Sequence, residues 1–127
     1  MPGDVTGGVR LILRLEGLVV LAAASLAYSE FADHGWTIFA ICFLLPDISF
    51  SGYLLGPKAG AAAYNFAHSY IGAVVCLIVG LLSAIPLLLT IGLIWCAHIG
   101  FDRMLGYGLK YQAGFSFTHF GRIGKQA

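Results

Sequence analysis

The sequence predicts an all-α integral membrane protein, a four-helix bundle with a short or broken second helix and a glycine- and aromatic-rich C-terminal tail. Three observations carry this. Of 127 residues, 59% are hydrophobic and 10% charged, against about 25% charged in soluble domains. The apolar residues gather in four runs, and a bilayer core takes about 20 of them per helix. The basic residues, finally, fall in a pattern that one membrane topology explains completely.

The first run, residues 9–31, has the look of a secretory signal, with Arg10 and Arg14 ahead of apolar and small residues. Glu16 interrupts the apolar region, which a signal seldom tolerates, so the run reads as a retained transmembrane helix. The second, 36–46, is short and stops at Pro46 unless the following "DISFSGYLL" continues it as a broken helix. Irregular backbone at membrane depth needs protein or water around it. The third, 59–81, carries Gly72, Cys76 and Gly80, a small-residue stripe suited to close helix approach within the bundle or between protomers. The fourth covers 85–105. The tail, 106–127, is too glycine-broken for a fifth span, and its aromatics suit a membrane interface or a lid over the bundle end. The chain is one transmembrane domain, 1–127.

With four spans, both termini and the loop holding Lys58 share one side. Arg10, Arg14, Lys58, Arg103, Lys110, Arg122 and Lys125 all fall there, which makes it the cytoplasmic side. The expected location is therefore the bacterial inner membrane, multi-pass, with both termini cytoplasmic. Partners are the lipid bilayer and a second copy docking through the third helix. A net charge of +1 gives no basic field for nucleic acid. The cysteines Cys42, Cys76 and Cys96 lie inside apolar runs without a CxxC pair, so they read as packing residues rather than disulfides or nucleophiles.

Counting residues along each span places the ionisable groups by depth. Glu16, Asp47, His68, His98, Asp102 and His119 can all lie in one layer near the cytoplasmic face, while His34 sits on the far side. Ionisable groups inside a membrane cost about 2.5–3.5 kcal/mol each on insertion scales, so they seldom face lipid. His98 and Asp102 are spaced i, i+4 and share a helix face; Asn65 and Tyr64 share one with His68.

Imidazole and carboxylate together suit zinc, manganese or iron. His68, His98, Asp102 and His119 are the candidate metal ligands, with Asp47 a further ligand or a catalytic group. Glu16 is a candidate ligand or general base. Arg103, Arg122 and Asn65 are candidates for holding an anionic substrate. A bound ion could polarise a phosphoester or lipid-linked substrate for hydrolysis. The alternative is a non-enzymatic accessory subunit or small transporter, with the same residues forming a structural or proton-relay network. No GxSxG, HExxH or Walker loop is present.

The blocks "RLEGLVVLAAA", "LLPDISFSGYLLGP", "YNFAHSY", "AHIGFDRMLGYGLKY" and "FSFTHFGRIG" resemble a small bacterial membrane protein family, domain of unknown function 4260, over nearly the whole chain. That resemblance implies an integral membrane fold and no particular activity. The histidines combined with "PD" at a helix end are more faintly similar to inner-membrane metal-dependent hydrolases. Here "AHS" at 67–69 and "THF" at 118–120 stand in a different order from the motifs of that group, so no catalytic residue carries over.

Overall fold

The computed structural model describes residues 7–32, 34–107, 117–118 and 121–122. Five α-helices and one 3₁₀ segment make up nearly all of it. They run in the order α1 Gly7–Phe31, α2 Gly35–Phe43, the 3₁₀ segment η1 Leu45–Leu55, α3 Pro57–His68, α4 Tyr70–Leu82 and α5 Pro86–Leu105. A two-residue antiparallel pair, β1 Phe117–Thr118 with β2 Gly121–Arg122, follows.

Helix α5 is the centre of the molecule. Its buried residues include Thr90, Gly92, Ile94 and the unbroken stretch from Cys96 to Gly100. Helices α1 and α4 pack along it, and α2 touches it more sparingly. The buried core joins Ala24, Ala73, Cys96, Ala97 and Ile99. On α1 the buried positions Gly17, Ala24 and Tyr28 follow helical spacing, so one narrow face meets α5 and the rest points outward.

Small residues set how close the helices come. A Cβ on Gly17 would lie 2.5 Å from the Arg103 Cβ and 2.7 Å from the Gly100 carbonyl oxygen; one on Gly100 would lie 2.7 Å from the Gly17 oxygen. The two backbones are thus in mutual contact. On α4, a Cβ at Gly72 would strike the Trp95 ring and one at Gly80 the Leu88 side chain, and the Cys76 thiol donates to the Leu88 carbonyl. The small-residue stripe of the third span faces α5 within the same chain. The residues left outward on α4, among them Ile71, Val75, Ile78, Leu81 and Leu82, are large, apolar and exposed.

The breaks between α1 and α3 have local causes. The Tyr28 hydroxyl donates to the Gly35 carbonyl at 2.6 Å, closing the α1–α2 corner, and Gly35 takes φ +76° there. Tyr28, Trp36 and Phe39 pack together in tilted and edge-to-face pairs with centroids 5.0–5.1 Å apart. Pro46 has no N–H to give, so α2 ends and the chain continues as 3₁₀. The second span therefore does not stop at residue 46: it carries on as η1 to Leu55. Gly56 at φ +112° and Pro57 at the first helical position then open α3.

The third span, expected as one helix, is split at Ser69, whose backbone is extended. Helices α3 and α4 meet there at 42°. Two α5 side chains claim the carbonyls at this point: the Trp95 indole N–H donates to Ala67 at 2.6 Å and Arg103 donates to His68 at 2.9 Å. Those carbonyls lie in the last turn of α3, where no intrahelical donor remains. At the other end, α5 closes in a Schellman motif at Gly106, with Tyr107 N–H donating to Asp102 and Gly106 N–H to Arg103. Arg14 on α1 donates to the neighbouring Met104 carbonyl at 2.8 Å.

Three helices are long and apolar enough to cross a membrane: Gly7–Phe31, the α2–η1 stretch Gly35–Leu55, and Pro86–Leu105. The bent α3–α4 pair makes a fourth if counted as one span. Soluble monomers rarely expose apolar surface so continuously, so the outward faces of α1 and α4 are compatible with a membrane protein.

Candidate metal centre

Four side chains from three elements converge below the α5 terminus. His98 comes from α5, and Asp102 follows it by one turn. His68 is the last residue of α3, and Asp47 comes from the start of η1. Both histidines are buried, 0% and 2% exposed; Asp102 is 14% exposed and Asp47 42%.

The distances are short and nearly uniform. His68 Nε2 lies 3.2 Å from Asp47 Oδ1, 3.3 Å from Asp102 Oδ2 and 3.1 Å from His98 Nε2. His98 Nε2 lies 3.3 Å from each of the same carboxylate oxygens. All four atoms fall within 4.8 Å of one another. Five of the six edges of a tetrahedron are therefore nearly equal. A regular tetrahedron with edges of about 3.2 Å has its centre about 2.0 Å from every corner, the length of a Zn–N or Zn–O bond.

The outer hydrogen bonds fix which ring nitrogen faces inward. His68 Nδ1 donates to the Tyr64 carbonyl at 3.0 Å, and His98 Nδ1 donates to the Phe43 carbonyl. A carbonyl only accepts, so each Nδ1 carries a hydrogen, and each neutral ring turns the lone pair of Nε2 toward the centre. In that form four acceptor atoms meet with no hydrogen among them. Such an arrangement repels itself unless a cation lies between. Histidines bonded outward to backbone carbonyls are also what metal ligation ordinarily requires.

Packing locks both rings. Tyr64 stacks on His68 at 3.9 Å and 8°. Phe43 packs against His98 at 5.1 Å and against Phe101 at 5.6 Å. The break at Ser69 matters here as well. Arg103 donates to the His68 carbonyl and, at 3.3 Å, to that of Tyr107. It ties the end of α3 to α5 and fixes the position of His68. Lysine offers a single point donor in place of this fork. If the four groups hold zinc, Arg103→Lys is expected to weaken its binding about tenfold, the lower end of outer-shell effects, as read by competition with a chromogenic chelator.

A family model described as a domain of unknown function (DUF4260) matches residues 10–123. The chain belongs to the DUF4260 family. No curated protein and no solved structure matches it, and the fainter similarity to inner-membrane metal-dependent hydrolases finds no support. The matched segment of this DUF4260 protein contains all four converging residues.

Within the DUF4260 chain, the sequence-derived candidates separate. His68, His98 and Asp102 meet as a set, and Asp47, first considered as a catalytic group, joins them as a fourth donor. Glu16 lies outside this set and is exposed on α1. Its neighbour Gly17 faces α5, so a rotation of about 100° per residue carries Glu16 off that face. Arg103 spends its guanidinium on backbone carbonyls. Asn65 is half-buried on α3 and not among the four. Arg122 falls in β2, and His119 lies outside the described residues. Sequence reasoning passed over Trp95 and Phe43, which position the two histidines' elements. A large indole in an apolar helix needs a partner for its N–H, and that was the available signal for Trp95.

Proposed function

We propose that this DUF4260 protein is an integral membrane protein of the bacterial inner membrane that binds one divalent transition-metal ion, with zinc the best fit. The bundle has four spans, α1, α2–η1, α3–α4 and α5, with both termini cytoplasmic and the metal near the cytoplasmic face. His68, His98, Asp102 and Asp47 are the ligands. The reading rests on one observation, the meeting of two Nε2 atoms and two carboxylate oxygens at 3.1–3.3 Å across five of their six pairs, with both Nδ1 atoms hydrogen-bonded outward so that neutral rings leave no donor among the four. Imidazole and carboxylate donors at that geometry suit zinc. Elemental analysis of protein purified without chelator is expected to give one zinc per chain, and no stoichiometric metal would end this reading in favour of an imidazolium–carboxylate network. A cysteine at Lys58 is expected to react only with reagent on the cytoplasmic side; labelling from outside alone would invert the topology. A second copy would dock on the outward apolar face of α4.

A second reading, hydrolysis, is favoured by the uneven burial of the ligands. Catalytic zinc keeps three protein ligands and an exchangeable fourth position. His68, His98 and Asp102 are enclosed, whereas Asp47 is the most exposed member and stands on the 3₁₀ segment. Displacing the Asp47 carboxylate would leave His68, His98 and Asp102 to hold the ion and open a position for water or a substrate oxygen, where a bound zinc would supply Lewis-acid chemistry toward a phosphoester or lipid-linked bond. Asp47→Asn, which trades the carboxylate for a neutral and more weakly held amide, is expected to keep most of the zinc, while Asp102→Asn loses it. Equal loss from both variants would argue for a closed site.

A further inference from the structure

A cavity of about 380 Å³ lies in the seam between α2–η1 and α5. A stripe of side chains from each span lines it. Leu87, Ile91 and Trp95 recur every fourth residue on α5, and Ile38, Cys42 and Leu45 every fourth or third residue on the second span. Ile38, Leu45, Leu87 and Ile91 are exposed and form the mouth, while the half-buried Trp95 and Ala67 form the back wall. The mouth residues stand along the two spans rather than beyond their ends, so the cavity opens sideways. None of the four His/Asp donors lines it, and it is a separate site from the candidate metal centre.

Water is a poor occupant. A buried water needs two to four polar partners, and the polar side chains around this cavity offer almost none. Thr90 is buried and its hydroxyl lies 3.0 Å from His34 Nδ1. The Ser49 oxygen is enclosed by protein. The Trp95 indole N–H is spent on the Ala67 carbonyl. The Cys42 thiol remains, a weak donor and a weak acceptor. Vacancy is costly as well. Protein interiors leave few voids larger than a water molecule, and an empty lining forfeits its dispersion contacts. The seam is also where the second span lacks packing, since α2 buries none of its own residues.

We propose that this cavity is a binding site for one hydrocarbon chain of a membrane lipid, drawn from the leaflet on the His34 side. The proposal rests on the membrane reading above and is independent of the metal. The occupant follows from place and size. A lateral mouth on two spans opens into lipid hydrocarbon. On α5 the cavity extends from Leu87, the second residue of the helix, to Trp95. That is about 12 Å at the helical rise, against about 15 Å for half of a bilayer's hydrocarbon core. One leaflet's chain therefore matches its depth. Recognition is of the chain and not of the head. No Lys or Arg occurs between Arg14 and Lys58 or between Lys58 and Arg103, so neither span lining the mouth brings a basic group for an anionic head. The bound chain acts as filler, holding the second span against α5 by packing.

The test begins with alkaline carbonate extraction of membranes holding the full chain; release of the protein sinks the membrane reading and this proposal together. Retained protein is reconstituted in phosphatidylcholine nanodiscs. These are doped with phosphatidylcholine or phosphatidylglycerol bearing a diazirine at mid-chain, and the label is located by mass spectrometry. Ile78, exposed on the outward face of α4, is the reference for bulk lipid. Label is expected on Trp95 as well as on Ile78, and equally from the two heads. Ile38→Trp, which fills the mouth from α2 and leaves the α5 peptide unchanged, is expected to lower Trp95 label about tenfold, equivalent to about 1.4 kcal/mol, while Ile78 label stays. Leu45→Trp fills the mouth at another point and serves if Ile38→Trp does not fold. Label on Ile78 without label on Trp95, as a protein helix seated in the seam would give, overturns this proposal alone. So does Trp95 label undiminished in the folded blocked variant, or confined to one of the two heads.

Discussion

His98→Ala is expected to strip the protein of zinc, weakening affinity by more than about a hundredfold, beyond the 10–100-fold typical of outer-shell partners. His98 Nε2 stands within 3.1–3.3 Å of the other three donor atoms, and its loss leaves two carboxylates and one imidazole around an open corner. The variant also removes a buried ring that packs on Phe43, so a fall in stability alone would not identify the metal. The linkage does. Zinc at 100 times its Kd adds about 2.7 kcal/mol to a folded state that binds it and nothing to one that does not. Thermal unfolding in detergent, with and without added zinc, should show this gain in metal-stripped wild type and not in His98→Ala. A zinc-dependent gain of equal size in both would place the ion elsewhere.

Gly100→Leu is expected to be the most damaging change outside the ligands, costing about 3 kcal/mol or more by overpacking. Even a Cβ at this position would meet the Gly17 oxygen at 2.7 Å and the Leu21 nitrogen at 2.8 Å, both backbone atoms that cannot rotate away. Helix α1 must then lift from α5, which also pulls Arg14 from the Met104 carbonyl. Gly8→Leu is the matched control, because nothing lies within 4 Å of a Cβ there. It should unfold within about 0.5 kcal/mol of wild type, as surface substitutions do. Similar losses from the two variants would mean that the close approach of α1 and α5 contributes little.

Helicity, the apolar spans and the layer holding the polar residues were legible because each depends on distance along the chain. A rise of about 1.5 Å per residue brings His68, His98 and Asp102 to one level without any structure. Azimuth was not legible. Glu16 reaches a similar level yet faces outward, and only the packing of Gly17 against α5 decides that. The placement of Asp47 depends on how the second span continues past Pro46, which the sequence left open between a stop at residue 46 and a broken helix. The split at Ser69 was hidden for a similar reason. "AHSYIGA" contains no proline, and its one glycine, Gly72, lies three residues beyond the break, while the carbonyls there are claimed by Trp95 and Arg103 from a distant segment.

The parentage of the ligands has a consequence for how the protein is made. Asp47 and His68 belong to η1 and α3, while His98 and Asp102 both belong to α5. Chains are synthesised from the N-terminus, so half of the donor set has left the ribosome before the other half exists. Two donors from separate segments make a poor trap for an ion, whereas the arrival of α5 supplies a matched pair on one helix face. On the proposed metal reading, capture is therefore a late event in biogenesis, coupled to seating of the last span. A nascent or truncated chain lacking α5 would stay metal-free, and occupancy would report that assembly is complete.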